Sequence, residues 1–250
     1  MIPATEIHIP EVAMAEQLEA ILSEGLDALS LPYTDDTLHR FRLFYTLLSE
    51  RSRQMNLTAI SGEADVARLH MLDCAAILPQ VAFAGKRVLD VGSGAGFPGL
   101  VLKLLCPDLS LTLLDSTQKR VQFQQEACTV LGLSDVSCLH LRAEEAPAEM
   151  RESFDLVVSR AVARLSLLSE LCMPFVALGG SFLAMKGPAA DDEVAEGKNA
   201  LRLLGGSAPA VLHYEVPGLD ASRTLVVSEK LRPTPPKYPR RFAQMKKQPL

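Results

Sequence analysis

The stretch "RVLDVGSGAGFPGL", Arg87 to Leu100, decides the fold. Apolar "RVLDV" reads as a short buried strand. Glycines at 92, 94, 96 and 99 follow, and "PGLVLKLLC" has helical length with Pro98 suited to its first turn. Strand, glycine-rich turn and helix in that order open a doubly wound parallel sheet. The glycines alone leave the ligand open. Gly94-x-Gly96-x-x-Gly99 has the form of the dinucleotide fingerprint. A triphosphate loop would end in Gly-Lys-Ser/Thr, whereas this one ends Gly96-Phe97-Pro98-Gly99, which argues against a nucleoside triphosphate.

Downstream, strands and helices alternate. "LSLTLLD", "VSCLHLR", "FDLVVSRAV" and "GSFLAMKG" read as strands. "QKRVQFQQEACTVLGL", "ARLSLLSELCMPFVAL" and "DDEVAEGKNALRLLG" read as helices, the first stopped near Gly132 and the second by Gly179-Gly180. Only a few residues join the last two strands, "AVLHYEVPG" and "TLVVSEK". That link is too short for a parallel crossover, so they should form an antiparallel hairpin. A hairpin at the end of a doubly wound sheet favours the methyltransferase variant over the dinucleotide one.

Upstream, residues 1 to 84 read as helical. Val12, Leu18, Ile21, Leu22, Leu26 and Leu29 recur near helical spacing before Pro32. Thr34, followed by Asp35 and Asp36, is a candidate N-cap for a helix carrying Leu38, Phe41, Phe44, Tyr45 and Leu48. A third helical run surrounds "DVARLHMLDCAAIL". The expected organisation is a helical region (1–84), a sheet domain (85–231) and a basic tail (232–250).

Ligands of an open parallel sheet sit at the carboxyl ends of its strands. Three acids there discriminate between cofactors. Asp115 ends the second strand, where a carboxylate can accept both ribose hydroxyls of NAD or S-adenosylmethionine. Glu144, with Glu145 as a rival, follows the third strand near an expected adenine edge. Asp90 precedes the glycines. A carboxylate there would repel a pyrophosphate but suits the cationic amino-acid end of S-adenosylmethionine; its competing role is loop or helix capping. The balance favours S-adenosylmethionine.

Taken together, "LDVGSGAGFPGL", "LLDSTQKRVQF", "RAEE", "FDLVVSRAVARL" and "AMKG" resemble the bacterial small-subunit ribosomal RNA guanine-N7 methyltransferases, also called glucose-inhibited division protein B. "NLTAISGEADVARLHMLDCAAIL" is similar to that family's Asn-Leu-Thr segment followed by His-x-x-Asp-Ser. The likeness spans roughly residues 40 to 240. Two places depart from it. "ERSRQMN" lacks a Trp-Asn pair before Asn56, and "YPRRFAQMKKQPL" lacks a Pro-Gly element after Tyr-Pro-Arg.

The resemblance implies a Rossmann-like class I methyltransferase fold, a mostly parallel sheet closed by an antiparallel hairpin. It implies transfer from S-adenosyl-L-methionine to guanine N7 of 16S ribosomal RNA, free or in the small subunit. Gly92, Phe97, Asp115, Ser116, Thr117, Ala143, Glu144 and Arg160 match cofactor-contacting positions, beside Gly94 and Gly96 of the loop. Arg160 ends a strand at the ligand face and can orient cofactor and guanine, or make a structural ion pair. His70 and Asp73, three apart on a helix, share a face; they position the guanine or RNA, or pack against the sheet domain. Lys186 ends a strand on the ligand face and is a candidate for RNA phosphate.

Composition bounds these readings. The 250 residues are 48% apolar with a net charge of −5. From Lys230 onward the chain has seven Lys or Arg and no acid, which leaves −12 on the remainder. Such a tail, with Arg240 and Arg241, suits a polyanionic partner or is a solvated terminus. Cys74, Cys106, Cys128, Cys138 and Cys172 show no CxxC and no Cys/His spacing for a metal, so neither disulfides nor a metal site is expected. The amino terminus lacks signal-peptide character and no run suits a membrane span, so a cytoplasmic location is expected; a monomer is the expectation for its assembly. The alternatives are an RNA-binding protein with a non-catalytic fold and a small-molecule methyltransferase.

Overall fold

The computed structural model describes residues 11–160, 162–187 and 190–250, the side chains of 11–16 excepted. The first ten residues, the Val12 side chain and Ala161 of "FDLVVSRAV" lie outside the described residues. Strands β1 (Arg87–Val91), β2 (Ser110–Asp115), β3 (Val136–His140), β4 (Phe154–Arg160), β5 (Val176–Lys186), β6 (Ala210–Tyr214) and β7 (Arg223–Glu229) form one sheet. Their order is β3-β2-β1-β4-β5-β7-β6. The first five are parallel, and β7 runs antiparallel to both β5 and β6. The expected hairpin is therefore present, with β6 at the edge. Val91 lies beside Leu114, Asp115 beside His140 and Arg160 beside Met185, so the carboxyl ends of the parallel strands share one rim.

Strand alternation sends side chains to two cores. Val88, Leu111, Leu113, Leu156, Val158 and Leu183 face one side. There they meet α1 (Glu11–Ala28), α2 (Asp35–Met55), α5 (Gly99–Leu105) and α6 (Gln118–Val130). Leu89, Leu114, Val157, Phe182 and Ala184 face the other, against α7 (Leu165–Cys172) and α8 (Asp191–Leu203). The amino-terminal helices thus share an apolar core with the sheet. Leu18, Leu22 and Leu26, one turn apart, are fully buried there. Thr34 caps α2 as expected: its Oγ1 accepts from the Thr37 amide and its own amide donates to the Thr37 hydroxyl, both at 3.2 Å. The third helical run is α3 (Glu63–Val66), which passes through a π-type stretch (Ala67–Leu72) into α4 (Asp73–Ala75).

Gly179-Gly180 do not end a helix. Helix α7 stops at Cys172, and Met173–Phe175 form a 3₁₀ turn around Pro174, which cannot supply a helical amide. Both glycines lie in β5, where a Cβ on Gly180 would stand 2.6 Å from the Asp155 carbonyl oxygen beside a break in the β4–β5 register.

The basic tail is not a free appendix. Tyr238 and Met245 are buried in the α7–α8 core, and the short helix α9 (Phe242–Lys247) lies against α7. Arg151 donates to the Thr234 and Tyr238 carbonyls.

Candidate active site

Two cavities open at the carboxyl rim and meet at Gly92. The larger, about 570 Å³, is walled by Thr58, His70, Asp73, Phe97, Arg160 and Arg223, with Gly92 and Gly94 on its floor. The smaller, about 170 Å³, is lined by Asp115, Ser116, Ala143, Glu144, Val162 and Phe242. Gly92 has φ +72°, and a Cβ there would stand 2.5 Å from a Val162 methyl group. A side chain at this position would press on Val162 in the wall of the smaller cavity and would sit on a left-handed backbone that favours glycine.

The glycine loop is shaped by Asp115. Its Oδ2 accepts from the Gly94 amide at 2.9 Å and its Oδ1 from the Thr117 amide at 2.8 Å. Gln124, fully buried on α6, donates to the Gly94 carbonyl at 2.7 Å and the Ser93 hydroxyl at 2.9 Å. A carboxylate has about four acceptor positions, so Asp115 keeps capacity for hydroxyl donors in the smaller cavity.

One linked cluster dominates the larger cavity. Arg160 donates through Nη1 to Asp73 Oδ2 at 2.9 Å and to the Leu69 carbonyl at 3.2 Å. Its Nη2 meets His70 Nδ1 at 2.9 Å. A guanidinium only donates, so Nδ1 accepts and His70 carries its proton on Nε2. That N–H donates to Thr58 Oγ1 at 2.8 Å. Burial, and secondarily the Arg160 charge, push the imidazole down to about 3, so it is neutral at physiological pH. The ring stacks on Phe97 at 4.6 Å, and the guanidinium lies over the same ring at 5.3 Å. Asp73 Oδ1 accepts from Arg223 Nε at 2.9 Å. Two arginines against one aspartate leave the cluster net positive.

The family described as GidB, rRNA small subunit methyltransferase G, matches residues 37–223. The chain belongs to this family. It is 38% identical over 233 residues to the ribosomal RNA small subunit methyltransferase G of Clostridium perfringens (strain 13 / Type A), covering 92% of this chain and 98% of the relative. It is 44% identical over 216 residues to that of Lactobacillus johnsonii, covering 84% and 90%. A methyltransferase from Pyrococcus furiosus shares the fold, with a TM-score of 0.54 at 13% identity over 78% of this chain and 99% of that one. The fold is that of the class I methyltransferases, and the family uses S-adenosylmethionine.

Several of the residues singled out in the sequence line the two cavities of this methyltransferase. Gly92, Asp115, Ser116, Ala143 and Glu144 line the smaller cavity, whereas Glu145 is exposed outside it. Phe97, Arg160, His70 and Asp73 are brought together around the larger one. Thr117 and Gly96 line neither; Thr117 gives its amide to Asp115 and Gly96 turns the loop.

Three expectations need correction. Asp90 does not face the ligand rim. It shares strand parity with Val88, so its side chain points toward α5, where Oδ2 accepts from the Gly99 amide at 2.8 Å. It is a capping group. Lys186 lines the larger cavity, but its ammonium is held by Glu193 at 2.9 Å and the Ala163 carbonyl at 2.6 Å, which leaves it a poor phosphate ligand. Arg240 is clamped to buried Glu170, Nε to Oε1 at 2.8 Å and Nη2 to Oε2 at 2.6 Å. It anchors the tail; Arg241 alone of the pair is exposed.

The Asp90 environment gives a stability test. Burial raises its carboxyl to about 7, and Oδ1 has no partner among the described residues. A carboxyl raised above its unfolded value stabilises the fold fully below about pH 4, and that contribution is lost as pH rises through 7. In denaturant unfolding, Asp90→Asn should gain on the wild type between pH 5 and pH 8, because the amide cannot ionise. A stability difference that stays constant over this range would show that Asp90 does not titrate in the fold.

Thr58, Gln124, Arg223 and Phe242 join the two cavities and the glycine loop only in the fold. Thr58 had a signal, since it closes the Asn-Leu-Thr segment. Arg223 stands 150 residues from its partner Asp73, and no local pattern marks it.

Proposed function

We propose that this chain transfers a methyl group from S-adenosyl-L-methionine to N7 of a guanine in 16S ribosomal RNA. The observation that carries the reading is the pair of cavities that share Gly92, one lined by the Asp115 and Glu144 carboxylates and apolar faces, the other placing Arg160 and Arg223 among apolar side chains such as Leu57, Phe97 and Met185. Asp115 and Glu144 suit the nucleoside part of the cofactor, and the Gly92–Gly94 backbone suits its amino-acid part. When bound, the cofactor supplies an electrophilic sulfonium methyl group. Its electrophile would lie near the junction, with the larger cavity left for the guanine.

Guanine N7 carries a lone pair and no proton, so the reaction needs no general base. The site agrees. His70 is neutral, its Nδ1 is occupied by Arg160 and its Nε2–H by Thr58. What remains is positioning and electrostatics. Arg160 keeps its Nε–H and one Nη2 hydrogen without an acceptor among the described residues. A donor directed to guanine O6 leaves N7 free to attack. The net positive cluster of Arg160, Asp73 and Arg223 also suits a phosphate-rich partner.

Two experiments check this. Labelled cofactor incubated with small subunits that lack the modification should label 16S ribosomal RNA; retention of RNA without any transfer would favour a non-catalytic binding protein. His70→Asn should lower the single-turnover rate by the same factor at pH 6 and pH 8, since the wild-type ring is neutral at both. A factor that changes across this range would assign His70 a proton-transfer role.

A further inference from the structure

We infer that the carboxyl-terminal segment is part of the cofactor site, with the Phe242 ring forming one wall of the subsite for the cofactor's heteroaromatic base. The inference rests on the proposed use of the smaller cavity for the nucleoside. Phe242 and Val162 are two of the few large apolar side chains left exposed among the described residues, at 38% and 40%. Scattered exposed apolar residues need no explanation. These two line the same cavity, whose polar wall is Asp115 and Glu144. Apolar faces combined with carboxylate acceptors match a planar base that carries amino hydrogens and is joined to a sugar bearing hydroxyls.

The tail is built to hold that ring in place. Before Phe242, Tyr238 is buried and Arg240 is clamped to Glu170 on α7. After it, Met245 is fully buried. Between these anchors Phe242 opens α9, directly after exposed Arg241. Lys246 and Lys247 remain exposed on the same helix, available to RNA without bearing on the base.

The test is binding of S-adenosyl-L-homocysteine by calorimetry. Phe242→Ala should raise Kd about 10-fold, within the span measured for aromatic stacking on a base. Phe242→Tyr should stay within about twofold of wild type, and Arg241→Ala should leave Kd unchanged. The KM for small subunits at saturating cofactor should not move in Phe242→Ala. The chain has no tryptophan, so Phe242→Trp gives a single reporter whose fluorescence should change on titration with S-adenosyl-L-homocysteine. A wild-type Kd in Phe242→Ala, or a fluorescence signal blind to the ligand, would overturn the inference. Failure of the wild-type protein to bind S-adenosyl-L-homocysteine would instead remove the cofactor reading itself. If the alanine variant does not fold, the tryptophan signal decides.

Discussion

In Arg160→Ala, single-turnover methylation at saturating cofactor and small subunits should fall by about 100-fold or more, the scale for removing a positioned donor from a preorganised site. Arg160 bridges Asp73, the Leu69 carbonyl and His70 while lying over Phe97. Its loss leaves His70 Nδ1 buried without a donor and Asp73 with Arg223 alone. Arg160→Lys separates charge from shape. It keeps the cation but cannot reach Asp73 and His70 at once, so the rate should still fall by at least ~10-fold, or ~1.4 kcal/mol. The positive charge does not oppose the reaction. The sulfonium loses its charge as the base gains one, so charge is moved and not created. A wild-type rate in Arg160→Lys would reduce Arg160 to a structural ion pair with Asp73.

Asp115→Ala should weaken cofactor binding by about 30-fold, or about 2 kcal/mol, within the range for a hydrogen bond to a charged group. Two causes act together. The carboxylate is the acceptor proposed for the ribose hydroxyls, and it also fixes the loop through the Gly94 and Thr117 amides. Asp115→Asn retains acceptor oxygen and should lose less. Calorimetry with S-adenosyl-L-homocysteine, beside thermal melts of both variants, separates the effects. Unchanged affinity in a folded Asp115→Ala protein would take Asp115 out of the site.

The sheet and the glycine loop are legible because parallel strands, covered on both faces, read as short apolar runs, and because β1, β2 and β4 each end in the residue that meets the rim. Asp115 and Arg160 follow from that rule directly. Asp90 does not, because one step along a strand reverses the face. From the sequence it is beside the glycines; in the fold it caps Gly99. Lys186 and Arg240 look like free cations because their partners, Glu193 and Glu170, lie in other segments. The tail is the largest gap. Its charge is concentrated and its anchors are single residues, Tyr238 and Met245, too sparse to show periodicity. Its contribution to the smaller cavity appears only once α9 is docked on α7.

The most direct measurement is the position of the transferred methyl group. Small subunits lacking the modification are incubated with the protein and labelled cofactor, and the 16S ribosomal RNA is digested to nucleosides for mass spectrometry. The expected result is one labelled nucleoside, 7-methylguanosine, whose formation is slowed by Arg160→Lys. Label in another base, on another guanine atom or on ribose would contradict transfer to N7 by a site without a general base.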